Sequence, residues 1–355
     1  MRKILLGIIA FISPALSWAD NGFSIDEFTI SANGEATVQI KMNNDIVFSG
    51  FQFDLELPEG VSIKRNAQNN LTIAATNRLK VYDEFEESWI PTHTIVANQQ
   101  PNGTYRVMVY SSTSANISGT SGTAVLRMQL TASDQVATGS FTPKLTGIVM
   151  SQADETQYKP DDCSYTCNVT LSTTVKTLGY ASFSWPKALD FTNSGLTAYI
   201  VTSCNNTSMH LESVTKVPAN TGLILKGTAG SENTYPLETT DEATDDVSEN
   251  MLTSNTTDVY EVTTDNVYVL SNLDDGRPGF YLANQGIHVG KYKSYLVLST
   301  NLARKGLLFD ETPTSISQVE TSGQNSDLYY DLQGRRVKNP VKGIYVVNGK
   351  KIVVK

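Results

Sequence analysis

Histidine, cysteine and positive charge are scarce in this chain. Its 355 residues include three histidines and three cysteines, and 27 lysines and arginines stand against 36 aspartates and glutamates, for a net charge of −9. An acidic surface is a poor match for nucleic acid or anionic lipid, so we expect neither as a partner. The odd number of cysteines argues against a disulfide framework.

The motifs of common catalytic and cofactor sites are also missing. His93, His210 and His288 lie outside any H-E-x-x-H or C-x-x-C context, which leaves a zinc site without support. The sequence has no G-x-S-x-G elbow, no G-x-x-x-x-G-K loop and no dinucleotide fingerprint. Carboxylate pairs for glycoside hydrolysis depend on the fold and leave no sequence signature. We therefore expect a binding protein without a cofactor or metal, rather than an enzyme.

Long apolar runs are confined to the N-terminus. Arg2 and Lys3 precede a nine-residue apolar run, residues 4–12. Ser17 and Ala19 place small side chains at the two positions that a signal peptidase recognises. Nine apolar residues are too few to cross a bilayer as a helix, and no later stretch is apolar enough to form a membrane-spanning helix. We expect a signal peptide cleaved after Ala19 and a secreted product without a transmembrane segment.

Cys163 and Cys167 are near enough in sequence to suggest a bridge. Residues 163–171, however, alternate between apolar and polar side chains, which is typical of a strand. Four residues along a strand separate two Cα atoms by roughly 13 Å at about 3.3 Å per residue. A disulfide spans only about 4.4–6.8 Å. We expect two small apolar thiols on the core face, and a bulge that brings them together is the alternative.

What the sequence has in abundance is the two-residue period of half-buried strands. Residues 51–57 alternate apolar with polar side chains, and Pro58 and Gly60 then end the run with a turn. The same period recurs in residues 37–42, 94–97, 105–110, 124–130, 141–148 and 163–171. Short strands without a sustained helical period predict an antiparallel β-sandwich over residues 20–172.

Two of these strands carry a resemblance to a known family. The F-x-F-x-L-x-L-P-E-G pattern of residues 51–60 and the G-T-A-V-L-x-M-x-L pattern of residues 122–130 stand in the family order. In these features the first module resembles a cohesin-type domain of the carbohydrate-binding β-sandwich superfamily. The resemblance implies a jelly-roll-like sandwich that binds either a partner module or a glycan. The sequence has no duplicated calcium loop of the dockerin type.

The segment 82–91 departs from the strand pattern. Tyr82, Phe85 and Trp89 fall three and four positions apart with acids between them, which suits a short amphipathic helix or a loop across a sheet edge. Exposed rings with nearby carboxylates would suit sugar recognition, so we select Tyr82, Phe85, Trp89 and Tyr110 as ligand-binding candidates. The alternative is that Phe85 and Trp89 plug the end of the sandwich, which is the commoner role for aromatics at helical spacing.

Residues 173–311 predict a second all-β module. Apolar segments separated by Gly, Asn, Asp and Pro indicate strands at residues 180–185, 196–202, 209–214, 222–226, 267–270, 279–282 and 295–298. The segments V-P-A-N-T-G-L-I-L-K-G, G-Y-A-S-F-S-W-P-K-A-L-D-F and G-K-Y-K-S-Y-L-V-L resemble secreted all-β modules of Bacteroidetes-type surface proteins. That resemblance implies an architecture and no activity.

Part of this second module is strongly acidic. Residues 227–276 hold twelve aspartates and glutamates and no lysine or arginine. Calcium prefers such oxygen ligands, but the spacing of these acids matches no calcium loop. We therefore expect a solvated acidic stretch that favours solubility, with a calcium site as the alternative.

The chain ends on a basic segment, residues 327–355, after a Thr- and Ser-rich linker at 312–326. Residues 331–334 predict a turn, and Asn348-Gly349 between two apolar runs predicts a type I′ hairpin. The D-L-x-G-R-x-V and G-I-Y-V-V pieces resemble the C-terminal sorting domain of type IX secretion substrates. That resemblance implies delivery to the outer surface. The alternative is a basic hairpin that caps the acidic module.

Together these features predict an exported, non-catalytic, all-β protein at the cell surface. It comprises a signal peptide, a cohesin-like sandwich at 20–172, a second all-β module at 173–311 and a short C-terminal β segment. We expect the sandwich to recognise a polysaccharide or surface glycan. The alternative is a protein-docking scaffold or adhesin module of the cohesin type, and a glycan-active enzyme is the least favoured.

Overall fold

A computed structural model describes residues 21–205, 207–272, 277–298, 306–310, 329–330, 336–337, 342–347 and 350–354. Over these residues the chain is all β, and the helical structure within them is one 3-10 turn, Asn77–Leu79. The predicted signal peptide with its cleavage site at Ala19, and the predicted linker at 312–326, lie outside the described residues. No helix within these ranges is long and apolar enough to span a membrane.

Sixteen strands precede residue 176. They are β1 (Asn21–Ile25), β2 (Phe28–Ser31), β3 (Glu35–Asn44), β4 (Gly50–Leu55), β5 (Val61–Ile63), β6 (Ile73–Ala75), β7 (Lys80–Asp83), β8 (Ser88–Pro91), β9 (Thr94–Gln99), β10 (Tyr105–Tyr110), β11 (Thr123–Ala132), β12 (Gly139–Phe141), β13 (Lys144–Ser151), β14 (Gln157–Tyr158), β15 (Cys163–Ser164) and β16 (Cys167–Val175). The back sheet has the order β1-β3-β11-β5, with β6 beside β11, and the front sheet has the order β14-β13-β4-β10-β9, with β15 beside β13.

The two sheets pack face to face, which confirms the predicted β-sandwich. Phe51, Phe53 and Leu55 of β4 are buried, as their alternation predicts. Phe23 of β1, in the back sheet, lies against both front-sheet rings, with centroids 4.9 Å from Phe51 and 5.4 Å from Phe53. Each such side chain contributes roughly 1.5–3 kcal/mol when it leaves water, so these contacts hold the layers together.

Two predicted strands are irregular for identifiable reasons. The register of β11 against β3 shifts between Ala124 and Leu126, so Val125 and Leu126 are both buried and the expected alternation fails there. A bulge of this kind places one extra residue against the partner strand. The segment 141–148 is divided between β12 and β13, with Pro143, which has no N–H to donate, between them.

The cysteine pair lies on two strands, so the prediction of one strand over residues 163–171 is wrong. Cys163 belongs to β15 and pairs with β13, whereas Cys167 begins β16. Between them Tyr165 donates its N–H to the Pro143 carbonyl at 3.1 Å, which turns the chain from one sheet to another. Both thiols are free, and burial raises the pKa of Cys163 and that of Cys167, the latter to about 11.

Fourteen further strands are described before residue 311. They are β17 (Tyr180–Phe183), β18 (Leu189–Asp190), β19 (Thr197–Cys204), β20 (Ser208–Val214), β21 (Lys216–Val217), β22 (Leu223–Lys226), β23 (Asn233–Thr239), β24 (Leu252–Asn255), β25 (Tyr260–Glu261), β26 (Val267–Asn272), β27 (Pro278–Leu282), β28 (His288–Val289), β29 (Lys293–Val297) and β30 (Gly306–Asp310). Each of the seven strands predicted in this region overlaps one of them.

Nine of these strands form one sheet that closes on itself. Its order is β17-β22-β19-β20-β30-β27-β26-β29-β24. Ser184, just after β17, donates its N–H to the Tyr292 carbonyl at 3.0 Å and its hydroxyl to the Lys293 carbonyl at 3.0 Å. These bonds join the first strand of the order to β29 near its other end. Buried Tyr268, Phe280 and other side chains pack in the core of this closed sheet.

Strand β16 belongs to a third sheet, of order β12-β16-β23-β18-β21 with β2 beside β16, which combines strands from both predicted modules. It pairs with β2 and β12 along its first half and with β23 along its second half. The predicted domain boundary at 172/173 therefore falls inside one strand. The core cluster that holds Phe53 also holds Trp185 and Leu225, so the apolar core continues across this boundary. The division into two modules stays a prediction.

The C-terminal residues form a separate compact unit. Its described strands are β31 (Tyr329–Tyr330), β32 (Arg336–Val337), β33 (Gly343–Val347) and β34 (Lys350–Val354), in the order β32-β31-β33-β34. The predicted hairpin is confirmed, because β33 and β34 pair antiparallel with Val347 opposite Lys350. The predicted turn at 331–334 lies outside the described residues.

Arg78 is a buried cation that ties three segments of the sandwich together. Its guanidinium donates to the carbonyls of Ser118 (2.7 Å), Met42 (2.9 Å) and Thr123 (3.0 Å), and to Asn44 Oδ1 (2.6 Å). Desolvation lowers the pKa of Arg78. The side chain thus supplies donors to backbone carbonyls near the end of β3, at the start of β11 and at Ser118.

Replacing Arg78 by Met should lower the free energy of unfolding by about 3 kcal/mol, because three carbonyls and Asn44 Oδ1 each lose a charged donor. Urea unfolding of the two proteins measures this difference. Arg127→Met is the matched control, since Arg127 is exposed on β11 and should cost less than about 0.5 kcal/mol. Equal losses in the two variants would show that the buried network does not stabilise the sandwich.

Asp134 links the sandwich to the residues that precede β29. Its Oδ2 accepts from the Tyr292 hydroxyl at 2.8 Å and lies 3.1 Å from the Lys291 ammonium. Burial alone would raise the pKa of Asp134, but the hydrogen bonds from Tyr292 and Lys291 outweigh it, so the pKa is lowered. Charge-assisted hydrogen bonds therefore join two segments that are distant in sequence.

Asp134→Asn should cost about 1 kcal/mol of stability at pH 7, because the amide keeps the hydrogen bonds and loses the charge. Since the folded-state pKa lies below the unfolded value of about 3.9, this stabilisation is present above about pH 4 and is lost as the pH falls through the folded-state pKa. Thermal melts from pH 7 to pH 3 should show the two proteins converging. Asp241→Asn, at an exposed ion pair, is the control. A difference that persists unchanged at pH 3 would contradict an electrostatic role.

Candidate binding surface

The outer face of the front sheet is the first candidate site. Because Val107 and Val109 of β10 point into the core, the alternation turns Met108 outward. The registers place Val96 of β9 beside Met108, then Gln52 of β4, then Val149 of β13. Val96 and Met108 are each 39 % exposed. A row that is apolar except for Gln52 thus crosses the middle of a face that meets solvent.

Polar groups border this row on one side. Arg106, two residues before Met108, forms a bidentate salt bridge with Asp54 on β4. Its Nε donates to Oδ1 and its Nη2 donates to Oδ2, both at 2.8 Å. These hydrogen bonds and the charge of Asp54 raise the pKa of Arg106. The geometry holds both side chains flat across two strands, so this end of the face carries a fixed ion pair.

A shallow depression of about 460 Å³ borders the row on the other side. Gly50 lies at its floor, opposite Tyr110 on β10. A Cβ at position 50 would come 2.9 Å from the Val109 carbonyl oxygen, so a larger residue would disturb the sheet. Gly50 therefore leaves room beside the exposed Tyr110 ring, and Ser151 and Gln52 supply polar atoms around it.

Strands β7 and β8 form a hairpin that projects from the same sandwich. The predictions of a helix or an edge loop for residues 82–91 are wrong, because Tyr82 and Trp89 face each other across two paired strands. Asp83 Oδ1 accepts from the backbone N–H of Phe85 at 2.8 Å and of Glu86 at 3.2 Å, which reverses the chain. The spacing of Tyr82, Phe85 and Trp89 matches a helical period by coincidence. The turn at Asp83 instead reverses the chain and pairs the two strands.

The hairpin exposes its aromatic residues. Phe85 at the tip is fully exposed, and Tyr82 and Trp89 are each 46 % exposed. Val81 and Ile90, on the opposite face of the hairpin, are also exposed. The alternative in which Phe85 and Trp89 plug the sandwich core is therefore wrong. Isolated apolar side chains on a surface are ordinary, but a hairpin with two apolar faces is not.

The root of the hairpin lies at the Tyr110 end of the front sheet. Thr92, just after β8, donates its N–H to the Leu79 carbonyl at 3.0 Å. The Thr92 carbonyl accepts a hydrogen bond from the Ser111 hydroxyl at 2.8 Å. The neighbouring His93 is buried, with Nδ1 2.9 Å from the Thr92 hydroxyl, and desolvation lowers its pKa. This packing anchors both hairpin strands next to Tyr110.

The structure thus brings together some of the predicted ligand-binding residues and separates others. The rings of Tyr82 and Trp89 are in contact, with centroids 5.4 Å apart and planes inclined at 62°. Phe85 lies beyond them at the tip, and Tyr110 lies on the front sheet. Sequence reasoning missed Val96 and Met108, although the pattern of β10 already showed an apolar residue at an outward position.

The electrostatics of the two parts differ. The hairpin tip carries Asp83, Glu84, Glu86 and Glu87 around Phe85, whereas Arg106 and Asp54 on the sheet face form an ion pair. Within the described part of the chain, no group of three His, Cys, Asp or Glu side chains is placed to hold a metal ion. In the acidic stretch, residues 241–246 are exposed, in agreement with the expected solvated segment.

The fold and the candidate site define the class: an all-β protein with a β-sandwich that presents a surface rather than an enclosed pocket. No family model matches the chain, and no curated protein matches its sequence. Solved structures that overlap it include cohesin modules. A chain of a type I cohesin–dockerin complex from Clostridium thermocellum has 11 % identity and a TM-score of 0.33, and covers 42 % of this chain and 98 % of its own.

Two further cohesins give similar figures. The non-cellulosomal cohesin of the archaeon Archaeoglobus fulgidus has 12 % identity and a TM-score of 0.31, and covers 42 % of this chain and 91 % of its own. The cohesin module of a Clostridium perfringens family 33 glycoside hydrolase has 11 % identity and a TM-score of 0.31, with 43 % and 96 % covered. These figures assign no function to this chain.

Proposed function

We propose that this chain is an exported, non-catalytic protein that docks another protein through the outer face of its front sheet. The observation that carries the proposal is the row of Val96, Met108 and Val149 across that face, which is interrupted only by Gln52. A sheet with one face toward water normally carries polar side chains there. An apolar row rimmed by polar groups is instead typical of a protein-binding surface.

The composition of the face supports a protein partner. Met108 is flexible and polarisable, so it adapts to the shape of a partner surface. Tyr110 adds a ring with a polar tip, a residue type that is enriched at protein interfaces. The Arg106–Asp54 pair at the rim gives orientation and specificity more than affinity. The resemblance of residues 51–60 and 122–130 to cohesin-type domains implies a partner module as one of two alternatives.

The hairpin extends this docking surface at the Tyr110 end. Phe85, fully exposed and surrounded by four acids, matches a partner that offers an apolar recess bordered by lysine or arginine. Trp89 and Ile90 widen the apolar area on the two faces of the hairpin. The partner we propose is therefore a folded protein with a flat apolar patch and a basic rim.

Glycan recognition is the second candidate, and the exposed Trp89 ring favours it. Sugar rings stack on flat aromatic faces, whereas Tyr82 meets Trp89 edge to face at 62° and adds no parallel platform. The carboxylates at the hairpin tip would accept hydrogen bonds from sugar hydroxyls. The protein-docking function uses more of the exposed surface and is therefore the main proposal.

Localisation belongs to the same proposal. The basic and apolar pattern of residues 2–19 supports export, and the C-terminal residues that resemble a type IX sorting segment support attachment at the outer surface. Domain boundaries at residues 172 and 311 are proposed on the same sequence grounds. The second module then acts as the scaffold that carries the sandwich.

Met108→Arg should weaken binding of the partner at least about tenfold, because it places a charge in the centre of an apolar contact. Immobilised mature protein is exposed to the secreted fraction of the source cell, and the retained polypeptide is quantified by mass spectrometry. Gln129→Arg is the matched control, because Gln129 is exposed on the outer face of the back sheet. A stoichiometric partner retained equally by both variants would exclude the front-sheet face.

Trp89→Ala separates the two candidate functions. Under protein docking we expect wild type and Trp89→Ala to elute together from a panel of polysaccharide affinity gels, since the ring is not a sugar platform. The melting temperatures of the two proteins should also agree, because the half-exposed ring lies outside the core. Retention of wild type that disappears in Trp89→Ala would overturn the docking proposal in favour of glycan recognition.

A further inference from the structure

A second cleft, distinct from the docking surface, lies where the nine-stranded sheet closes. Strand β26 pairs with β29 only at Val267 and Tyr268, and then continues to Asn272 beside β27 alone. Strand β29 diverges and reaches β17 through Ser184. Between Ser182 of β17 and the end of β26 this divergence leaves a cleft of about 710 Å³, which we call the seam cleft.

Two lysines face the seam cleft from different segments. Lys176 follows β16, and Lys293 begins β29. Among the described residues that line the cleft there is no acid, and neither ammonium group has an ion-pair partner in the described part of the chain. Other lysines are paired, as in Lys41–Asp26 and Lys291–Asp134. Two cations in one cleft without an acidic partner among the described residues are unusual for a chain with a net charge of −9.

The two charges are close enough to act on each other. Desolvation and the nearby charge of Lys176 both lower the pKa of Lys293. Lys293 is exposed as a residue, so a ligand can reach it from solvent. Repulsion between like charges destabilises this arrangement, and an anion between them would remove the repulsion.

The remaining lining supplies neutral hydrogen-bonding groups. Hydroxyls of Thr174, Thr177, Ser182 and Ser271 and the amide of Asn272 surround the two lysines, and Leu270 contributes an apolar wall. Several hydroxyl and amide groups beside a charged pair suit a ligand that is itself rich in hydroxyls and carries an acid group. The cleft volume falls in the range of about 300–1,000 Å³ typical of small-ligand sites, which is room for one or two sugar rings.

We propose that the seam cleft binds an acidic saccharide, with its carboxylate or sulfate group held between Lys176 and Lys293 and its hydroxyls bound by the surrounding polar side chains. This site lies on the closed sheet and is independent of the docking surface on the sandwich. The protein would then bind a protein with one part and an acidic glycan with another.

Isothermal titration calorimetry on the mature protein tests the site with three acidic probes: digalacturonate, a hyaluronan disaccharide and a sulfated galactose disaccharide. We expect at least one of them to bind with a Kd below about 1 mM and its neutral counterpart to bind at least about tenfold more weakly. Binding should weaken as salt rises, because the contact is ionic and partly solvated.

Lys176→Gln and Lys293→Gln should each reduce the affinity about tenfold without lowering the melting temperature, since each removes a cation that repels its neighbour. Lys187→Gln is the control, because Lys187 lies on the same part of the chain and pairs with Asp241 away from the cleft. Losses equal to that of the control, or no binding of any acidic probe, would overturn the proposal. Binding of an acidic tetrapeptide alone would overturn the saccharide assignment.

Discussion

Burial of the front-sheet aromatics against the back sheet is the constraint on which the rest of the sandwich depends. Phe51 and Phe53 leave water only if β4 presents that set of residues inward, and Phe23 then fits between the layers. Because side chains alternate along a strand, a slip of one residue would expose both rings. The same constraint fixes which side chains of β10 face outward, so Met108 and Tyr110 reach solvent as a consequence of core packing.

The candidate surface is thus a product of the core rather than an addition to it. The outward row lies on rigid strands, which limits the entropy that a partner must overcome when it binds. The hairpin adds apolar area held by a short turn at Asp83 and by the root at Thr92 and Leu79. Its exposed Phe85 contributes nothing to the packing of the free protein, which makes a role in contact with another molecule the economical explanation.

The structure of the closed sheet depends on a different constraint, the divergence of β29 from β26. Its strands bury Tyr268 and Phe280 on the inside, but β29 must leave β26 to meet β17, and the ladder opens at that point. An opening of this kind exposes polar backbone and side-chain groups without unfolding the sheet. The contact of Asp134 with Lys291 and Tyr292 connects this region to the sandwich, and the described part of the first 310 residues belongs to one compact unit.

The sequence by itself determined the all-β class, the strands that hold Phe51, Val107 and Ile224, and the hairpin between β33 and β34. These features depend on a period of two and on local turn residues, which can be read within a few positions. Only the tertiary structure decided the bulge at Val125, the break between Cys163 and Cys167, the hairpin at 82–91 and the pairing of β16 with strands from both predicted modules. Those outcomes depend on contacts between residues far apart in the chain, and a local period carries no information about which distant strand supplies the partner.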